Sequence, residues 1–176
     1  LLSMLVALVV LLPADVCADP SVGRFVRIDG RINIERPGNG TVVPVISGGE
    51  VFAGDVIVTG KDSRAQIAFI DNSFAYIAPG SKVMVMQYYI NKTYTGEDRR
   101  KAFINLLEGM VRTIARKYTG EGSVFIVETP TASARTQNAD FIISFSRSVT
   151  GLSVLEGDVV VKNLSSYVIG EVLLRP

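Results

Sequence analysis

The sequence predicts an all-β fold: many short strands, mostly antiparallel, in a solenoid-like or twisted β-sandwich arrangement. Three observations predict it. Past residue 20 the apolar residues recur with period two, the signature of strands half-buried on one face. Turn residues interrupt them at a spacing of roughly 8–12 residues, which fits a sandwich, barrel or stack of rungs better than alternating β and α units. A weak echo, Gly with an acid feeding a Val-rich strand, appears at Gly48-Gly49-Glu50-Val51, Leu107-Glu108-Gly109-Met110-Val111, Leu155-Glu156-Gly157-Asp158-Val159 and Gly170-Glu171-Val172. Its period is irregular, so it is no strict repeat.

The elements follow in order. Val26, Ile28, Gly30, Ile32 and Ile34 share one parity. A two-residue turn at Asp29-Gly30 would put Ile28 opposite Arg31. A three-residue loop, 29–31, pairs Ile28 with Ile32 and Val26 with Ile34, and a bulged or continuous bent strand also keeps one apolar face. Pro37 to Gly40 is a loop. Val42 to Ile46 contains Pro44 and belongs at a sheet edge. Gly48-Gly49, Ala53-Gly54-Asp55 and Gly60 to Ser63 are turns around Val51-Phe52 and Val56 to Thr59. Ala65 to Ile70 and Ser73 to Ala78 flank Asp71-Asn72, two residues that tolerate positive φ. A two-residue loop pairs Phe69 with Phe74 and Ile67 with Tyr76 on one face.

Val83 to Ile90 is apolar on both parities, which suggests a strand covered on both sides. Asn91 to Lys101 is polar and charged and reads as a solvated loop. Ala102 to Leu107 and Met110 to Lys117 read as strands around Glu108-Gly109; a helix over 102–117 is the alternative, disfavoured by Gly109 and by the β-branched Val111, Thr113 and Ile114. Strands are expected at Val124 to Thr129, around Phe141 to Phe145, and at Leu152 to Glu156, Val159 to Lys162, Tyr167 to Ile169 and Val172 to Leu174.

The chain has 176 residues, 48% hydrophobic and 20% charged, with 18 basic and 17 acidic side chains. That suits one ordinary domain. Near charge balance gives no field to draw nucleic acid or an anionic membrane. Leu1 to Leu12 is apolar apart from Ser3; about 12 residues is too short for a span of about 20 and matches a secretory leader cut after Ala18. An uncleaved anchor is the alternative. The charged n-region is missing, so the leader is expected to be incomplete. Cys17 makes a poor lipobox, with Val16 before it. The expected organisation is a signal peptide at 1–18, N-terminal strands at 19–47, a central domain at 48–163, and C-terminal strands at 164–176 that continue further.

Histidine is absent, and Cys17, the one cysteine, lies within the leader. Ser-His-Asp, Cys-His and most zinc sites are thereby excluded. Asp55, Asp71, Asp140, Glu156 and Asp158 could form a carboxylate pair, but each sits beside a turn or strand end, where such residues bind turn backbones. The expectation is no enzyme, no metal and no cofactor. Tyr88, Tyr89 and Tyr94 near Arg99-Arg100-Lys101 could make a binding surface, against a core strand followed by a loop. The polar run Ser133 to Asn138 reads as a loop, and Ser133, Arg135, Gln137 and Asn138 are the candidate contact residues.

The ordered motifs resemble the FecR family. They are Gly54-Asp55-Val56-Ile57-Val58-Thr59-Gly60, Ser63 to Phe69, Asp71-Asn72-Ser73, Pro79-Gly80-Ser81-Lys82-Val83, Leu107-Glu108-Gly109, Thr129-Pro130-Thr131-Ala132, Asp140-Phe141-Ile142-Ile143 and Val154-Leu155-Glu156-Gly157-Asp158-Val159-Val160-Val161. The family's Asp-Gly-Ser is Asp71-Asn72-Ser73 here, and its Arg-Gly-Thr is replaced by Gln137-Asn138-Ala139. The resemblance implies that Gly54, Asp55, Asp71, Asn72, Ser73, Thr129, Pro130, Asp140, Phe141, Glu156 and Gly157 are structural positions. It also implies an extracytoplasmic domain; well-known members regulate sigma factors from the inner membrane. The expected function is a periplasmic or secreted binding or scaffold domain in envelope signalling or assembly. Its expected partner is an envelope protein, with polysaccharide as the alternative and no nucleic acid. Membrane contact is expected only through export or an uncleaved N-terminus.

Overall fold

The computed structural model describes residues 20–37, 40–92, 98–118, 120–164 and 170–176. The leader, Tyr94 and the strand expected at Tyr167 to Ile169 lie outside them. Among the described residues there is no helix, so the strand reading of 102–117 holds. The fold is a large, mostly antiparallel sheet that is not closed into a barrel.

The strands are β1 (Gly23–Asp29), β2 (Ile32–Glu35), β3 (Val42–Pro44), β4 (Glu50–Val51), β5 (Val56–Thr59), β6 (Arg64–Phe69), β7 (Phe74–Ile77), β8 (Lys82–Asn91), β9 (Arg99–Ala115), β10 (Val124–Glu128), β11 (Ala132–Thr136), β12 (Ala139–Ser146), β13 (Val149–Gly157), β14 (Val159–Asn163) and β15 (Glu171–Leu174). They form two layers. One runs β4-β1-β6-β7-β9-β12-β13 and the other β3-β2-β5-β8-β9-β10-β11-β14-β15. Among the described residues only β9 and β10 pair in parallel.

Strand β9 belongs to both layers. Its first half pairs with β8 and β10, its second with β7 and β12. The change of layer falls at Gly109, where φ is +91° and a Cβ would collide with Ser81. The Ser81 hydroxyl accepts the Met110 N–H at 3.0 Å and fixes this corner. The Glu108-Gly109 signal is therefore a bend within one 17-residue strand, not a break between two. Both layers face one apolar core in which Phe25, Phe125, Phe141, Ile57, Ile67, Ile104 and Leu106 are wholly or almost wholly buried. Each such side chain contributes roughly 1.5–3 kcal/mol by leaving water.

Three expectations about register are corrected. Strands β1 and β2 do not form a hairpin; β1 pairs with β4 and β6 in one layer, β2 with β3 and β5 in the other. A bulge between Phe25 and Arg27 puts Val26 outward, 39% exposed. In the β6–β7 hairpin the loop is three residues, not two. Phe69 and Ser73 close it by a 2.9 Å backbone bond, and Ile67 pairs with Ala75 rather than Tyr76. That one-residue slip sends Phe74 and Tyr76 to the outer face. In β8 a bulge between Val85 and Gln87 makes Val83, Val85 and Tyr88 the inward set, so the strand is covered on one side only. The Pro44 strand does lie at an edge, paired with β2 alone.

Candidate functional site

The tightest polar cluster lies inside the sandwich, where sequence reasoning placed solvated loop. Strand β9 begins at Arg99, and Arg100 is fully buried. Its Nη1 donates to Asp71 Oδ2 at 2.8 Å, Ser73 Oγ at 3.1 Å and the Arg116 carbonyl at 2.9 Å, and its Nη2 donates to the Gln137 carbonyl at 3.0 Å. The guanidinium lies over Tyr118 and Phe125, 5.0 and 5.1 Å from the ring centroids. Its Nε has no hydrogen-bond partner among the described residues.

Asp71 is the hub. It also accepts the Ser73 N–H at 2.9 Å, the Ser73 hydroxyl at 2.8 Å and the Tyr88 hydroxyl at 2.6 Å. Asn72 beside it has φ +60°, the conformation that the loop chemistry required. Tyr88 stacks on Phe69 at 4.4 Å. Burial, and next the Asp71 charge, push the Tyr88 hydroxyl well above its ordinary pKa of 10.0. It stays a neutral donor. With both oxygens saturated by the protein, the Asp71 carboxylate is a structural anion rather than a reactive one. The missed signal was parity: Arg100 shares the even positions of Ala102, Ile104 and Leu106, all buried.

The expected loop 133–138 is largely strand. Ala132 to Thr136 form β11, and only Gln137-Asn138 turns the chain. The backbone of β10 and β14 on either side supplies the pairing that local polarity does not foretell. Ser133 is buried at 6% exposure. Arg135, Gln137 and Asn138 come together with Gly157 and Asp158 along a shallow depression of about 700 Å³; Ser133 does not line it. The Thr136 hydroxyl donates to the Asp158 carbonyl at 2.7 Å and accepts the Asn138 N–H at 3.1 Å.

The remaining motif residues lie at turns or in the core. Asp55 is buried and accepts the Phe52 N–H at 2.9 Å, with Arg36 Nε 3.7 Å away. Burial raises its pKa above 3.8, and the Phe52 bond and Arg36 only partly offset this. Gly54 and Gly157 have φ +91° and +82°. The Thr129 hydroxyl accepts the Ala132 N–H across Pro130 and meets the Thr150 hydroxyl at 2.6 Å. Phe141 is core. Glu156 is exposed on β13, opposite Asp140. Asp140 is gripped by Arg112 through two bonds, 2.9 and 2.6 Å. Among the described residues no three His, Cys, Asp or Glu side chains converge as a metal would need, and no helix is long and apolar enough to cross a membrane.

Among the described residues β3, β4, β13 and β15 each pair on one side only, and β13, with nine residues paired to β12, is the longest of these edges. The outer face of the β1–β13 layer carries a groove of about 490 Å³ lined by Arg27, Arg64, Tyr76, Met110, Arg112 and Ile142, among others.

Residues 55–160 match the family model described as FecR protein. Two crystal structures titled "putative anti-sigma factor", from Parabacteroides distasonis, superpose with TM-scores of 0.53 and 0.52 at 18% and 19% identity. Each alignment covers 69% of this chain and 51% of that one. This chain thus spans about half the length of those neighbours, and the likeness is one of fold. No curated protein matches the chain.

Proposed function

The chain belongs to the FecR protein family, and from that premise we propose that it is a non-enzymatic extracytoplasmic domain that signals or scaffolds in the envelope by docking a partner protein. Its place is the periplasm or the exterior, reached through the apolar leader Leu1 to Leu12. The observation that carries the docking mode is the β13 edge. Nine consecutive residues, Val149 to Gly157, contain no Pro and no Lys; a bulge at Leu155 and the charge of Glu156 interrupt the edge near its end, and the run Val149 to Val154 before them is regular, with Val149 67% exposed. Natural edges are blunted by Pro, Lys, other charges and bulges, and a run free of them is a template for strand addition. The two neighbours named as anti-sigma factors support a signalling context for the same fold.

A photo-reactive amino acid at Val149 or Leu155, introduced into the full chain in its native host, tests this. The expected product is one discrete protein adduct in the envelope fraction, lost when Ser153 is replaced by Lys or Pro. Adducts to polysaccharide alone, or recovery of the protein with intact leader from the cytosol, overturn the proposal.

A further inference from the structure

The groove on the outer face has a composition that selects its occupant. Cross-strand register aligns Arg27 (β1), Gln66 (β6), Tyr76 (β7), Arg112 (β9) and Ile142 (β12) in one row over five adjacent strands. At about 4.8 Å per strand the row is about 19 Å long, the span of about six residues of extended chain. Beside it, Arg64 and Met110 widen the groove, and Pro79 and Ala78 close one side.

The charges in the row are not equivalent. Arg112 is held by Asp140 and lies 5.8 Å from the Tyr76 ring centroid, so it is oriented and largely neutralised. Arg27 and Arg64 are exposed and make no ion pair among the described residues. Asp29 stands opposite Arg64 in register, without an ion-pair contact. Two guanidiniums without an ion pair, each a fork that matches a carboxylate, thus stand on β1 and β6 at one end of the groove with Asp29 lining it beside them, and the apolar Met110 and Ile142 stand on β9 and β12 at the other end. Tyr and Arg over apolar area are the composition of protein interfaces.

We propose that this groove binds an extended acidic–apolar segment of a partner protein, with its carboxylates on Arg27 and Arg64 and its apolar side chains on Met110 and Ile142. The inference rests on the protein-docking reading above and locates a second contact for it, on the face rather than the edge.

The test uses the full chain and three probes: a Glu-Leu-Glu-Ala repeat peptide of about ten residues, its Lys-Leu-Lys-Ala counterpart, and polygalacturonate. The expected result is binding of the acidic peptide that weakens as salt rises. R27E/R64E should weaken it about tenfold or more, the size of a lost pair of charge contacts, while K162E on the opposite layer leaves it unchanged. Amide shifts in NMR should map to Gln66, Tyr76 and Ile142. Because all three substituted side chains are exposed, an unchanged melting midpoint certifies folding. Equal binding of the basic peptide, unaltered binding by R27E/R64E, or preference for polygalacturonate overturns the groove assignment. In each of those cases a protein adduct at β13 that persists in R27E/R64E leaves the broader function standing. Peptide binding in the groove with no protein adduct from β13 removes the edge-docking reading instead.

Discussion

Two of the Arg–Asp pairs among the described residues are nearly equal in length and opposite in setting. Arg100–Asp71 meets at 2.8 Å with both side chains at 0% exposure; Arg112–Asp140 meets at 2.6 Å with 44% and 14% exposed. Distance therefore does not rank them. Desolvation does. The outer pair is open to water and salt, and each partner can be rehydrated if the other is lost. The inner pair has surrendered its hydration, and its charges are met by each other, by Ser73 and Tyr88, by the carbonyls of Arg116 and Gln137, and by the Tyr118 and Phe125 rings. It joins the β6–β7 hairpin, β8, both ends of β9 and the turn before β12. The difference shows that the inner pair specifies how segments meet, while the outer pair shapes a surface.

The harshest way to break the comparison is to remove one inner charge. Asp71→Asn leaves Arg100 buried without a counter-ion and should destabilise the fold by about 3–5 kcal/mol in urea unfolding. Asp71→Leu combined with Arg100→Met should recover most of that loss, because an apolar pair incurs no charge desolvation. A double variant as unstable as the single one would show that the network does more than neutralise itself. A smaller step is Tyr88→Phe. It keeps the stack on Phe69 and deletes one hydrogen bond to the carboxylate, with an expected cost of about 1.5–3 kcal/mol.

These residues also show what the sequence makes legible. The Asp71-Asn72-Ser73 turn, the edge strand at Pro44 and the all-β class follow from local chemistry: tolerance of positive φ, a missing N–H, period-two alternation. The buried pair does not. Arg100 sits in a run, Asp98 to Lys101, whose composition reads as solvated; only the register of β9 against β8 and β10 carries it inside. Bulges defeat parity in the same way. Phe25 and Ile28 face inward three residues apart, as do Val85 and Tyr88, with exposed Val26 and Met86 absorbing the extra position. The polar segment 133–138 reads as loop, whereas the backbone of β11 pairs with β10 and β14 and the Thr136 hydroxyl reaches the Asp158 carbonyl, contacts held in the pairing rather than in the segment.

The outer pair should yield little. Arg112→Ala or Asp140→Asn is expected to cost less than about 1 kcal/mol, and that cost should shrink further in high salt. Their stronger readout is in the groove, where loss of Arg112 frees Tyr76 and should alter peptide binding without moving the unfolding midpoint. A cost rivalling that of Asp71→Asn would mean that the face is covered and the exposed geometry misleading.

Asp55 is the intermediate case and sharpens the comparison most finely. It is as buried as Asp71, but its cation, Arg36, is 3.7 Å away and 45% exposed. Burial therefore wins, and its pKa rises above 3.8. As pH climbs past 3.8 the unfolded chain gives up this proton first, while the folded chain keeps it until its own higher pKa. Within that window the native state binds more protons, so stability falls as pH rises, and it levels off above. The stabilising contribution of Asp55 is thus complete in acid and gone at neutral pH. Asp55→Asn keeps an oxygen to accept the Phe52 N–H and removes the titration. Its stability relative to the wild-type chain, followed by urea unfolding from about pH 3.5 to 7, should rise across that window and then stay flat. A ratio that falls instead would mean that Arg36 overcomes burial at this site, which would place Asp55 with Asp71 among the charges the fold has fully compensated.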